Sequence, residues 1–294
     1  MTPARSHQPA PGTAQPGAPA PSLHITGLRT GYGPKAIIED FTATIPGGRI
    51  TTIIGPNGCG KSTLLKAAAQ LLPTQAGHVT LGEVDLARMR RKELARTISV
   101  LPQTPQAQPG VTVADLVARG RHPHQRWINQ WSSTDETEVH AALTMTGCLD
   151  LATRTIEELS GGQRQRVWIS MVLAQNTDVM FLDEPTTYLD LAHSIDILNL
   201  VTRLKHTLGR TIVMVLHDLN LAARYSDHLL VMRDGTLMAE GAPTDIITSE
   251  LLRDVFDLDA TIIADPLTGT PLIVPAAPPH PAGDGAAGDT TPAG

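Results

Sequence analysis

An α/β core interrupted by a block of helices is the fold this sequence predicts. Three observations lead there. Short apolar runs of strand type alternate with helical spacing; a Gly-rich loop sits between one such run and a helix; and the stretch from about 110 to 175 carries helical spacing alone.

Strand-like pieces cover Leu23–Arg29, Phe41–Ile45 and Ile50–Ile54, and a helix starts within Gly60–Gln70. A strand near His78–Leu81, a charged helix near Arg90–Arg96 and a short strand at Ile98–Leu101 follow, the last stopped by Pro102. In the helical block, Val113, Leu116 and Val117 share one face, as do Val139, Ala142 and Leu143. Val179–Leu182 is four apolar residues in a row, the mark of a strand covered on both faces. A helix over Leu191–Leu208 leads to a second such strand, Thr211–Leu216. Leu229–Met232 and Thr236–Ala239 flank Arg233-Asp234-Gly235 and read as a hairpin.

Composition narrows the function classes. The 294 residues suit one or two domains. A net charge of −6 and only 3% aromatic residues argue against a nucleic-acid binder that works by bulk positive charge or by stacking. No stretch reads as a spanning helix, and Met1–Pro21 has no apolar run of signal type. Residues 1–21 hold six Pro and five Ala, and residues 275–294 hold five Pro and six Ala, so both are expected to be disordered tails. Cys59 and Cys148 fit no metal spacing and read as reduced thiols of a cytosolic protein.

The loop after Ile50–Ile54 is Gly55-Pro56-Asn57-Gly58-Cys59-Gly60-Lys61-Ser62-Thr63, a full G-x-x-x-x-G-K-[ST] pattern between strand and helix. Glycines there let several N–H groups turn towards one anion, and the helix start adds partial positive charge. Lys61 is expected on the β- and γ-phosphates and Ser62 on Mg²⁺. The alternative is a chance Gly-rich turn. Downstream, Val179–Leu182 runs into Asp183-Glu184-Pro185. Two acids at the end of an apolar strand are costly unless a cation or a wet cleft meets them. Successive strand residues point to opposite sides, so the pair should split its roles: Asp183 to hold Mg²⁺, Glu184 to orient and deprotonate a water that attacks the γ-phosphate. Cys59, inside the loop at a helix start, is open to two readings: a thiol of lowered pKa, protected by nucleotide, or a small residue that merely fits.

Leu159-Ser160-Gly161-Gly162-Gln163 completes an ordered set of phosphate loop, LSGGQ and hydrophobic-Asp-Glu. At this point the chain resembles the ATP-binding subunits of ABC transporters over roughly residues 22–260. The resemblance implies a phosphate-loop ATPase core with an antiparallel β subdomain and an inserted helical subdomain, followed by a C-terminal extension over 261–274. It implies an adenine-stacking role for Tyr32, a Mg²⁺- and partner-sensing role for Gln103, a place in the loop between subunits for Asp190, and a γ-phosphate contact for His217. Gly55–Thr63 and Ser160–Gln163 become the two halves of an ATP site, each half from a different copy, with Glu184, His217 and Lys61 catalytic and Ser62, Gln103 and Asp183 around Mg²⁺. The implied assembly is a head-to-tail homodimer on a polytopic permease at the cytoplasmic face of the membrane. An extracellular binding protein contributes indirectly, and no nucleic acid is involved.

Arg119-Gly120-Arg121-His122-Pro123-His124 and Pro185–His193, with Tyr188 where most such subunits have Ala or Gly, resemble the iron–siderophore and vitamin B12 importer branch. Ser194 departs from that branch, which usually has Gln there. His122 and His124 lack neighbouring Cys or carboxylates and are not expected to bind metal. The expected role is ATP-driven import of ferric siderophores, with haem or cobalamin import as the near alternative. A non-transport ABC ATPase is disfavoured by the single phosphate loop and the lack of sustained heptads. A nucleotide kinase would leave LSGGQ and His217 without a use.

Overall fold

The computed structural model describes residues 20–125 and 131–276. In chain order, β1 (Leu23–Tyr32) and β2 (Lys35–Ile45) form a hairpin, and β3 (Ile50–Ile54) runs through the phosphate loop into α1 (Lys61–Ala68). β4 (Thr74–Leu81), β5 (Val84–Asp85), α2 (Arg91–Thr97) and β6 (Ile98–Leu101) come next. The helical block holds α3 (Val113–Ala118), α4 (Ser133–Met145) and α5 (Gly161–Ala174). β7 (Val179–Leu182), α6 (Leu191–Leu208), β8 (Thr211–Val215), α7 (Leu219–Tyr225), β9 (His228–Arg233) and β10 (Thr236–Gly241) complete the core. α8 (Pro243–Ile246), α9 (Ser249–Phe256), β11 (Ala260–Ala264) and β12 (Pro271–Pro275) close the chain.

β2-β1-β4-β5 is an antiparallel sheet, and β10-β9-β3-β8-β7-β6 is parallel except for its edge strand β10. Strand alternation assigns the parallel sheet's two faces to two cores. Val179, Phe181, Val213 and Val215 pack with α1 and with Leu23, Ile25 and Phe41 of the antiparallel sheet. Met180, Leu182, Ile212 and Met214 pack with Val167 and Val172 of α5 and with Ile197 and Val201 of α6. The catalytic candidates follow β3, β6, β7 and β8, so one sheet edge collects them.

The structure departs from the sequence reading in several places. The helical block is broken: 3₁₀ segments at Arg119–His124, Leu149–Leu151 and Ile156–Glu158 interrupt it, and Thr112 bridges Thr155 as an isolated β pair. β1 and β2 reach Tyr32 and start at Lys35, because the backbone ladder continues past their apolar residues. α7, α8, α9 and the β11–β12 hairpin were not foreseen. That hairpin pairs Ala260 with Pro275 and so takes in the first residue of the stretch expected as a tail. Residues 1–19 and 277–294 of the two expected tails lie outside the described residues. Among the described residues no helix is long and apolar enough to cross a membrane.

The helical block is braced by one buried ion pair. Arg121 Nε donates to Asp135 Oδ1 at 2.9 Å and Arg121 Nη1 to the Ala174 carbonyl at 2.8 Å, which ties the start of α4 to the end of α5. Burial works to raise the Asp135 carboxyl, but hydrogen bonds from Ser132 and Arg121 overcome it and hold the group below the usual carboxylate range. Arg121→Ala leaves that carboxylate buried without its cation, and urea unfolding at pH 7 should show a loss of about 3–5 kcal/mol. A carboxyl lowered on folding stabilises above its unfolded value, so the gap between variant and wild type should close as pH falls through the lowered Asp135 value.

Candidate active site

Gly55 and Gly60 shape the loop between β3 and α1. A Cβ on Gly55 would collide with the Met232 carbonyl, and Gly60 has a φ of +104°, where a side chain is strained. Lys61 is 5% exposed, and its Nζ donates to the Gly55 and Pro56 carbonyls, both at 2.9 Å. The ammonium thus spans the mouth of the loop, where a phosphate would find it. A pocket of about 360 Å³ opens above, lined by Ile37, residues of the loop and α1, Gln103, Glu184 and His217.

The two carboxylates after β7 divide as strand alternation requires. Asp183 turns to α1, where Ser62 Oγ donates to its Oδ1 at 2.8 Å. Its Oδ2 is buried with no partner, and burial pushes the carboxyl above its usual range, against the pull of the Ser62 hydrogen bond. A hydroxyl and a carboxylate with an orphaned, buried oxygen are hard oxygen donors that fit Mg²⁺. Glu184 turns the other way. Its Oε1 lies 2.7 Å from His217 Nε2, and its Oε2 accepts from Gln103 Nε2 at 2.6 Å and from Thr187 Oγ1 at 2.8 Å. Burial would raise this carboxyl, but the Thr187, His217 and Gln103 bonds more than offset it and hold it below the ordinary glutamate range. Gln103 was expected near Mg²⁺ and His217 on a phosphate; here both contact Glu184. Glu184 also has a left-handed φ of +54°, a backbone state disfavoured for a residue with a Cβ. Thr187 is the functional side chain the sequence reading missed. Its signal was local: a hydroxyl three residues past Glu184, across a turn in which Thr187 N donates to the Glu184 carbonyl.

Ser160 caps α5. Its Oγ accepts from Gln163 N at 3.3 Å while Gln163 Oε1 accepts from Ser160 N at 3.0 Å, a reciprocal capping box. Ser160, Gly161, Gly162 and Gln163 do not line the pocket over the phosphate loop. Gly161 instead borders a second cleft of about 240 Å³, which it shares with Gln103, Glu184, Thr187 and Tyr188. Asp190 caps α6 through His193, and Tyr188 is held at a φ of +66° and almost fully exposed. Tyr32, at the end of β1, is 54% exposed and outside the pocket lining.

The structure decides between the two readings of Cys59 and gives His124 a structural partner. Cys59 is buried, and burial pushes its thiol up despite the Lys61 charge, so the reading of a reactive, lowered-pKa thiol is overturned. Its Sγ instead crowds the space beside Gly55 as a small apolar filler. His124 Nε2 is 2.7 Å from the Gln175 carbonyl, a structural bond within the helical block. A maleimide should therefore leave Cys59 and Cys148 unmodified in the native chain and label both after urea unfolding. Mass spectrometry reads the difference, and ATP should change nothing.

A family model described as ABC transporter matches residues 38–187. The achromobactin transport ATP-binding protein CbrD of Dickeya dadantii (strain 3937) is 50% identical over 248 residues, 84% of this chain and 92% of that protein. The ferric enterobactin transport ATP-binding protein FepC of Escherichia coli (strain K12) is 48% identical over 248 residues, with the same coverage of 84% and 92%. Among solved structures, cbiO1 of Clostridium perfringens, part of the ABC transporter complex cbiONQ, superposes with a TM-score of 0.70 at 28% identity, over 80% of this chain and 94% of that one. The phosphate loop, the divided carboxylates and these likenesses agree: the chain belongs to the ABC transporter family, whose ATPase core it carries.

Proposed function

We propose that this chain is the ATP-hydrolysing subunit of an importer for ferric siderophores, acting as a homodimer bound to a polytopic permease at the cytoplasmic face of the membrane. The observation that carries the ATPase reading is the split pair at the end of β7, Asp183 on Ser62 and Glu184 on His217, over one phosphate loop. The siderophore reading is supported by relatives near 50% identity, whose names specify siderophore, achromobactin and ferric enterobactin transport.

In this reading the triphosphate lies over Gly55–Thr63 with its charge met by Lys61 and the loop N–H groups. Ser62, Asp183 and Gln103 would hold Mg²⁺, which supplies charge neutralisation on the phosphate oxygens when bound. Glu184 orients a water towards the γ-phosphorus and takes its proton as the new P–O bond forms and the bond to the ADP oxygen breaks. His217, now on Glu184, is placed to contact the γ-phosphate as well. Ser160 and the Gly161–Gly162 turn of a second copy close the site. Tyr32 faces the adenine, and Asp190 lies in the loop between the copies. Phosphate release removes the shared ligand and the dimer opens, a two-state element biased by nucleotide.

Glu184→Gln should bind ATP and form an ATP-dependent dimer by light scattering, yet turn over at least about 100-fold more slowly. Wild-type turnover by that variant would remove Glu184 from its role. Because Glu184 in the free chain is held below its usual range, the acid limb of wild-type kcat/KM should lie below the ordinary glutamate range. Thr187→Val removes one donor and should move this acid limb to higher pH, while Thr187→Ser should keep it in place. A deletion strain should lose uptake of labelled ferric siderophore and keep uptake of haem and cobalamin; loss of either of those alone would reassign the cargo.

A further inference from the structure

The helices that follow the signature turn and the 188–190 loop begin side by side, and one side chain joins them. Asp190 Oδ1 accepts from the His193 backbone N and from His193 Nδ1, each at 2.8 Å. That carboxylate oxygen accepts in both bonds, so Nδ1 carries the proton and the ring orientation is set. The far edge of the ring rests on the signature. A Cβ on Gly162 would lie 2.5 Å from His193 Cδ2, 3.2 Å from Cγ and 3.3 Å from Nε2, and a Cβ on Gly161 would lie 3.6 Å from Leu189 Cδ2. The absence of a side chain at 162 is therefore matched to the presence of a ring at 193. His193 belongs to neither apolar core and its side chain is 48% exposed, so the fold does not depend on it for burial.

We propose that His193 is a positioning residue for the signature turn. Anchored by Asp190, its ring sets how closely the 188–190 loop approaches the first turn of α5. It thereby sets where the Ser160 hydroxyl and the unpaired N–H groups of Gly161 and Gly162 meet a phosphate. A shift of the loop between copies is then passed to the turn through a rigid imidazole rather than through flexible chain. This inference rests on the reading above, in which the turn of one copy completes the nucleotide site of the other.

The test uses the full chain and separates positioning from folding. His193→Ala should lower kcat about 10-fold, the scale of a small misplacement of a binding group. It should leave the affinity for a fluorescent ATP analogue, held by the phosphate loop, within about twofold of wild type. The packing half is read by urea unfolding without nucleotide. Gly162→Ala should lower the midpoint when His193 is present, and the same substitution in a His193→Ala background should cost much less, giving a clear coupling in the double-mutant cycle. Wild-type kcat in His193→Ala, analogue affinity falling as far as kcat, or an uncoupled cycle would each overturn the proposal. Wild-type turnover and the ATP-driven dimer of Glu184→Gln are measured alongside. If both are normal and His193→Ala is silent, only the His193 role is lost; if both are missing, the shared-nucleotide reading fails and this inference falls with it.

Discussion

The site depends on β7 ending where it does. Four apolar residues pay for a strand buried on both faces, and the two acids that follow inherit its alternation. Asp183 continues the face of Val179 and Phe181 and meets α1; Glu184 emerges on the other side, among groups placed by β6 and β8. Parallel strands deliver their C-terminal ends to one edge, so the phosphate loop after β3, Gln103 after β6, and His217 after β8 reach the same pocket without any long connection. A one-residue slip of β7 would exchange the two carboxylates and leave neither beside its partner.

Electrostatics then separates two chemically similar groups. Asp183 is buried with one oxygen unsatisfied and is pushed up; Glu184 is surrounded by donors and pulled down. In the proposed function a cation would satisfy the orphaned oxygen of the first, and the second would hold a water. The same donors that stabilise Glu184 also occupy it: His217 and Gln103 are both committed to its oxygens here. In the proposed function, a nucleotide that attracted His217, or a cation that attracted Gln103, would free the carboxylate as it bound.

Much of this was legible in the sequence where burial on both faces or a compact motif decided the local structure. The bounds of β7 follow from an unbroken apolar run, those of β3 and β6 from β-branched and apolar residues that carry only Thr51, Thr52 and Ser99 among them, and those of α6 from Asp190 as cap and Gly209 as left-handed stop. β1 and β2 were read too short, because their ends are held by ladder hydrogen bonds to each other and not by apolar side chains. The β11–β12 hairpin was missed although Asp265 and Gly269 mark its turn, since its attachment is long-range: Asn220 of α7 offers its amide to both the N–H and the carbonyl of Ile273. Cys59 is open to two readings in sequence, and distant burial decides for the small filler. The helix start and Lys61 are local and visible, whereas the burial that outweighs them comes from strands far away in the chain.

The signature turn shows why a motif can be plain in sequence and incomplete in one chain. Its capping box satisfies Ser160 N and Gln163 N, which leaves the first N–H groups of α5 directed outward with no backbone partner. None of Ser160–Gln163 lines the pocket above the phosphate loop, so the helix start that favours anions stands apart from the loop that cradles them. In one copy the two anion-attracting surfaces do not meet over one ligand. In the proposed head-to-tail dimer a second copy would supply each loop with a signature and each signature with a phosphate. The nucleotide would then be the element that both surfaces share, and in that reading the dimer would respond to the charge on the γ-phosphate.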